Sequence, residues 1–114
     1  MSKKLDDVDY CKRPWGSWYV LERGDGYKVK KLSILPENSI SLQYHNLRSE
    51  AWIVISGEGL LKINELGYKI CAGDMHKIHV RDIHKVTNTS KDTPLVILEL
   101  QQGHTCSEED IVRL

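Results

Sequence analysis

With 114 residues the chain has room for one domain but not for a second independent core. Its apolar fraction of 40% is that of a globular protein and excludes a disordered polar chain. Sixteen basic side chains balance sixteen acidic ones, so the composition gives no footprint for nucleic acid or an anionic membrane.

The N-terminus, Met1-Ser2-Lys3-Lys4-Leu5-Asp6, lacks the apolar core of a signal peptide, and no apolar run reaches bilayer length. A cytoplasmic protein is expected, with residues 1–12 as an N-terminal arm and 13–114 as the single domain. Ser17 to Arg23 predicts a strand closed by the turn Gly24-Asp25-Gly26. Tyr27 to Leu35 alternates polar and apolar residues and ends at Pro36-Glu37-Asn38. Ser39 to His45 alternates strictly, with Ser39, Ser41, Gln43 and His45 on one face and Ile40, Leu42 and Tyr44 on the other.

Glu50 to Ser56 is the most apolar strand and stops at Gly57-Glu58-Gly59. Leu60 to Asn64 and Tyr68 to Cys71 form a hairpin turning through Glu65-Leu66-Gly67. His76 to Val80 and His84 to Asn88 flank the Arg81-Asp82 corner, and Pro94 to Gln102 is the last long strand. Ser107 to Asp110 predicts one capped helical turn. About eight strands without crossover helices require an antiparallel sandwich or barrel, an all-β fold. Cys11, Cys71 and Cys106 are widely spaced and form no CxxC pair, so they are expected to be ordinary thiols.

Two spacings carry chemistry. Gln43-x-His45-x4-Glu50-x6-Gly57 has the pattern of the first cupin motif, with Gln in place of its usual first His. Gly73-x5-His79-x-Arg81-x2-His84-x3-Asn88 has that of the second, with His79 and Arg81 where Pro and Gly are usual. Arg13-Pro14-Trp15-Gly16-Ser17, Gly26-Tyr27-Lys28-Val29-Lys30, Arg48-x-Glu50-x-Trp52, Glu99-x-Gln101-x-Gly103 and Glu108-x-Asp110-Ile111-Val112-Arg113 extend the likeness. Together they resemble the C-terminal cupin domain of bifunctional type II mannose-6-phosphate isomerase / mannose-1-phosphate guanylyltransferase, from about Lys12 to Arg113.

The resemblance implies a double-stranded β-helix (a jelly-roll barrel) in which Gln43, His45, Glu50 and His84 ligate one divalent metal ion (Zn, Mn, Co, Ni or Fe). Two imidazoles, a carboxylate and an amide oxygen suit such an ion. It further implies work in the GDP-mannose pathway, as an isomerase interconverting mannose 6-phosphate and fructose 6-phosphate. Arg13, Lys28 and Arg48 would then bind the phosphorylated hexose, with Arg48, Glu99 and Lys30 as the candidate catalytic groups, and His79 as a further candidate base. Two alternatives stand beside it: a sugar-phosphate-binding module without turnover, and another metal-dependent cupin enzyme acting on a small molecule. The chain departs from the family at Asn46, Leu47 and Ala51, where histidines are usual. It contains no Gly-rich nucleotide loop and has no room for a nucleotide-binding domain. A barrel this small protects its strand edges by pairing, so a homodimer is expected.

Overall fold

A computed structural model describes residues 5–114 of the chain. Of the expected arm, residues 1–4 therefore lie outside the described part. A 3-10 turn, Leu5–Asp7, leads into eleven strands: β1 Tyr10–Arg13, β2 Gly16–Gly24, β3 Tyr27–Ile34, β4 Gln43–Tyr44, β5 Arg48–Ser56, β6 Glu58–Ile63, β7 Leu66–Cys71, β8 Met75–Ile78, β9 His84–Asn88, β10 Leu95–Gly103 and β11 Val112–Arg113. They form two antiparallel sheets, ordered β1-β2-β3-β10-β5-β8 and β11-β4-β9-β6-β7. This is the expected all-β cupin barrel. Among the described residues no helix is long and apolar enough to cross a membrane.

Period-two alternation sets the interior. Along β3, β5 and β10 every second residue is buried, and the register aligns them into rungs. Ile34 faces Leu95, and Leu32, Ile97 and Val54 form the next rung. The rungs then turn polar: Lys30, Glu99 and Trp52, followed by Lys28, Gln101 and Glu50. One end of the barrel is thus an apolar core closed by Leu61, Val86 and Ile70 of the smaller sheet. The other end gathers charged groups that would be costly to bury unless paired or bound to a ligand.

Asn88 stoppers the apolar end. Its amide donates to the carbonyls of Ile34 (2.9 Å) and Thr93 (2.8 Å), and its oxygen accepts the Ser90 amide (2.9 Å). Gly57 must be glycine: its φ is 91°, and a Cβ there would lie 2.5 Å from the Pro94 carbonyl oxygen.

Several elements differ from expectation. The strand predicted over Ser39–His45 is reduced to β4 and an isolated Ser39–Thr87 bridge. The β6–β7 hairpin turns at Asn64-Glu65, one residue earlier than expected, because Asn64 accepts the left-handed φ of 52° that a two-residue turn requires. The helical turn predicted at Ser107–Asp110 is a simple turn followed by β11.

Candidate metal centre and anion cavity

His45 follows β4, Glu50 lies on β5 and His84 opens β9, so both sheets converge on the polar end. Ligand-type atoms of the three lie within 4.8 Å of one another, and all three side chains are buried. His45 Nε2 is 3.3 Å from Glu50 Oε2, and His84 Nε2 is 4.0 Å from Glu50 Oε1.

Tautomers decide what these atoms can do. His45 Nδ1 lies 2.6 Å from the Asp110 carbonyl oxygen, and His84 Nδ1 lies 2.8 Å from that of Asp82. A carbonyl only accepts, so each Nδ1 must carry the proton and each Nε2 a lone pair; that of His84 faces Glu50, while that of His45 accepts a long bond from Arg48 Nη2 at 3.4 Å. His84 Nε2 has no hydrogen-bond partner, one of two such buried side-chain atoms among the described residues. An orphaned imidazole lone pair beside a carboxylate and a second lone pair is the donor set of a divalent cation. The residues present fit a metal.

Glu50 is held from both sides: Arg48 Nε donates to Oε2 at 2.8 Å, and Trp52 Nε1 donates to Oε1 at 2.9 Å. Burial alone would raise its carboxyl, but the Arg48 guanidinium, through its charge and its hydrogen bond, holds it below the usual carboxylate range. Burial, ahead of the neighbouring Arg48 charge, keeps His45 below the ordinary imidazole value and therefore neutral, as a ligand must be. Gln43, the fourth expected ligand, pairs with His84 in register, but its Oε1 accepts a bond from Ser41 Oγ at 2.9 Å.

A cavity of about 380 Å³ opens beside the cluster, lined by Gln43, Arg48, Glu50, Trp52, Glu99, Glu108 and the cations Arg13, Lys30 and Arg113. That volume suits a small polar molecule. Lys28 and Lys30 both turn toward Glu108, at 2.9 and 2.8 Å, and Lys30 also stands 4.1 Å over the Trp18 ring. Burial opposes ionisation of Glu108, but Lys30 and then Lys28 pull its carboxyl down to about 2. Glu99 accepts from Gln101 Nε2 at 2.6 Å; burial, then the charge of Glu50, push it up to about 7. His79 is exposed, away from this cavity.

Sequence reasoning gave no role to Trp52, Gln101, Glu108 or Asp110. The first two were accessible, since Glu50/Trp52 and Glu99/Gln101 are strand neighbours two apart and share a face. Glu108 and Asp110 come from a turn 78 and 65 residues distant from Lys30 and His45, and no local pattern points to that.

The profile of the family described as "Mannose-6-phosphate isomerase C-terminal" matches residues 3–114. The chain belongs to this family. Within it, the chain is 34% identical over 113 residues to alginate biosynthesis protein AlgA of Pseudomonas aeruginosa, covering 97% of this chain and 23% of that protein. It is also 34% identical over 102 residues to mannose-1-phosphate guanylyltransferase of Salmonella muenchen, covering 90% of this chain and 21% of the relative. This member of the mannose-6-phosphate isomerase C-terminal family thus spans about a fifth of the length of those relatives. Its fold is shared with the capsular polysaccharide assembling protein CapF of Staphylococcus aureus (TM-score 0.80, 18% identity, 92% of this chain and 32% of that one). It is shared likewise with oxalate decarboxylase of Lactobacillus farciminis (TM-score 0.79, 18% identity, 96% and 34%).

These relatives correct the expected activity. They are named for guanylyl transfer and polysaccharide biosynthesis, so mannose 6-phosphate–fructose 6-phosphate isomerisation does not stand as the function of this domain. Of the expected catalytic groups, Lys30 is ion-paired to Glu108, and Arg48, although burial opposes its charge, is held protonated by Glu50 and Glu99.

Proposed function

We propose that this domain is a metal-centred binding module for a phosphorylated sugar. His45 Nε2, His84 Nε2 and a Glu50 oxygen hold one divalent cation, and Gln43 completes the set when its amide oxygen leaves Ser41. Once bound, the cation supplies a Lewis-acidic point for sugar hydroxyl or carbonyl oxygens. Arg13, Lys28, Lys30 and Arg48 supply positive charge for the phosphate, Arg through its forked donors. Glu99 adjusts the charge of the wall between them. The single observation that carries this is the wholly buried His84 Nε2, left without a partner beside Glu50. Guanylyl transfer, in the name of one relative, belongs to proteins about five times longer. The sugar-phosphate preference rests on that relative's name together with the cationic cavity.

The test is metal analysis with calorimetry. The purified chain should carry about one equivalent of divalent metal per chain, the capacity of a single His/His/Glu cluster, and bind mannose 1-phosphate. Chelation and His84→Ala should each abolish both, while circular dichroism keeps its β signature. Binding of mannose 1-phosphate that survives chelation undiminished would refute the metal-centred reading. We also infer a homodimer, formed through the outward face of the larger sheet, where Met75, Ile55 and Tyr19 are 70%, 51% and 43% exposed.

A further inference from the structure

The segment Thr105–Arg113 crosses the open end of the barrel as a strap. Its anchors are numerous and draw on both its backbone and its side chains. Arg48 Nη1 donates to the Ser107 carbonyl at 2.8 Å, and the Asp6 carboxylate accepts from Ser107 Oγ and the Glu108 amide, both at 2.7 Å. Farther along, the Asp110 carboxylate accepts the amides of Asn46 and Leu47 at 2.9 and 3.0 Å. None of these bonds involves the Glu108 side chain, which alone reaches inward to the two lysines.

The charge at that point does not balance. Two ammonium groups, their side chains 7% and 5% exposed, share one carboxylate whose side chain is 10% exposed. Glu99, opposite Lys30 in register, makes no ion pair with either lysine among the described residues and is bonded to Gln101 instead. A monoanion thus stands between two buried cations; Glu108 and Lys30 line a cavity that also presents Arg13 and Arg48, while Lys28 lies outside its lining. A phosphate monoester dianion matches the two lysines in charge and offers three acceptor oxygens where the carboxylate offers two.

We propose that the Glu108 carboxylate is a built-in occupant of the phosphate subsite, displaced by the phosphate of an incoming ligand through side-chain rotation while the strap backbone stays anchored. Resting on the sugar-phosphate reading above, it adds where the phosphate goes and what must leave. The displaced carboxylate moves toward solvent, and the lysine pair exchanges one anionic partner for another. Affinity in the native chain is lowered by the fraction of time the subsite is self-occupied.

The experiment is calorimetric titration of the full chain with inorganic phosphate and with mannose 1-phosphate at low ionic strength. Glu108→Gln should bind inorganic phosphate about tenfold or more tighter than wild type, since the competing occupant is gone. A folded Glu108→Gln protein that binds phosphate no better than wild type overturns the proposal, and makes Glu108 a fixed clasp. Should that variant fail to fold, nuclear Overhauser contacts in the wild-type chain decide. Contacts between the Glu108 side chain and the Lys30 ammonium end that vanish at saturating phosphate support displacement; contacts that persist refute it. The two readings fail separately. Mannose 1-phosphate binding wild type with no gain in Glu108→Gln sinks only the displacement. A gain for inorganic phosphate without any preference for the sugar phosphate leaves displacement standing and removes the sugar.

Discussion

Glu99 lies where the inner face of the larger sheet turns polar, with Lys30 on one side and Trp52 on the other. Its carboxyl rises from 4.5 to about 7 through burial and then Glu50. The folded chain therefore keeps a proton that the unfolded chain has released, and stability falls as pH rises from about 4.5 to 7. Glu99→Gln removes this dependence and gives the orphaned Gln101 Oε1 a donor. Urea unfolding at pH 8 should find the variant more stable by about 2 kcal/mol, with the gap closing below pH 5. Glu108 has the opposite sign: its contribution is complete above 4.5 and is lost as pH falls through about 2. The convergence of His45, Glu50 and His84 was legible because strand spacing and motif spacing agree. The partner of Lys28 and Lys30 was not, because an ion pair across 78 to 80 residues leaves no local trace.

Among the elements, those with clean alternation between buried and exposed positions were legible almost to the residue. Burial forces period two on β3, β5, β9 and β10, and Gly or Pro closes most of them. Strands β1 and β11 were missed: Tyr-Cys-Lys-Arg and Val-Arg are too short and too polar to show a buried face. Ser39–His45 misled in the other direction, since perfect alternation there meets only a two-residue ladder. The Arg81-Asp82 corner carries an element-scale prediction. Arg81, exposed and with φ 67°, occupies the place where the motif usually has glycine, while its amide donates to the His45 carbonyl at 2.8 Å. A left-handed non-glycine residue costs about 1–2 kcal/mol, partly offset by the freer unfolded chain of glycine. Arg81→Gly should therefore stabilise the protein by about 0.5–1 kcal/mol in chemical denaturation, with metal content unchanged. A loss of stability would mean that the arginine side chain supports the corner in some other way.

For the whole molecule the outward face of the larger sheet matters most. Ile53 lies beside Met75 on one neighbour and Leu98 on the other, with Ala51 and Leu100 on the next rung. An apolar strip through the middle of a sheet favours burial against a second copy. Sedimentation should show a species of twice 13.1 kDa, and Ile55→Glu should return it to the monomer. A wild-type chain sedimenting at 13.1 kDa at micromolar concentration would end the dimer proposal.

Because the inward rungs change from hydrocarbon to ionic halfway along the same strands, the barrel behaves as two materials joined end to end. The hydrocarbon half resists exchange, since each missing methylene leaves a void. The ionic half is bounded by long side chains that, among the described residues, make no hydrogen bond to the Asn88 stopper below. Substitutions among the charged rungs should therefore change what the mouth accepts at less cost to the fold than substitutions among the apolar ones.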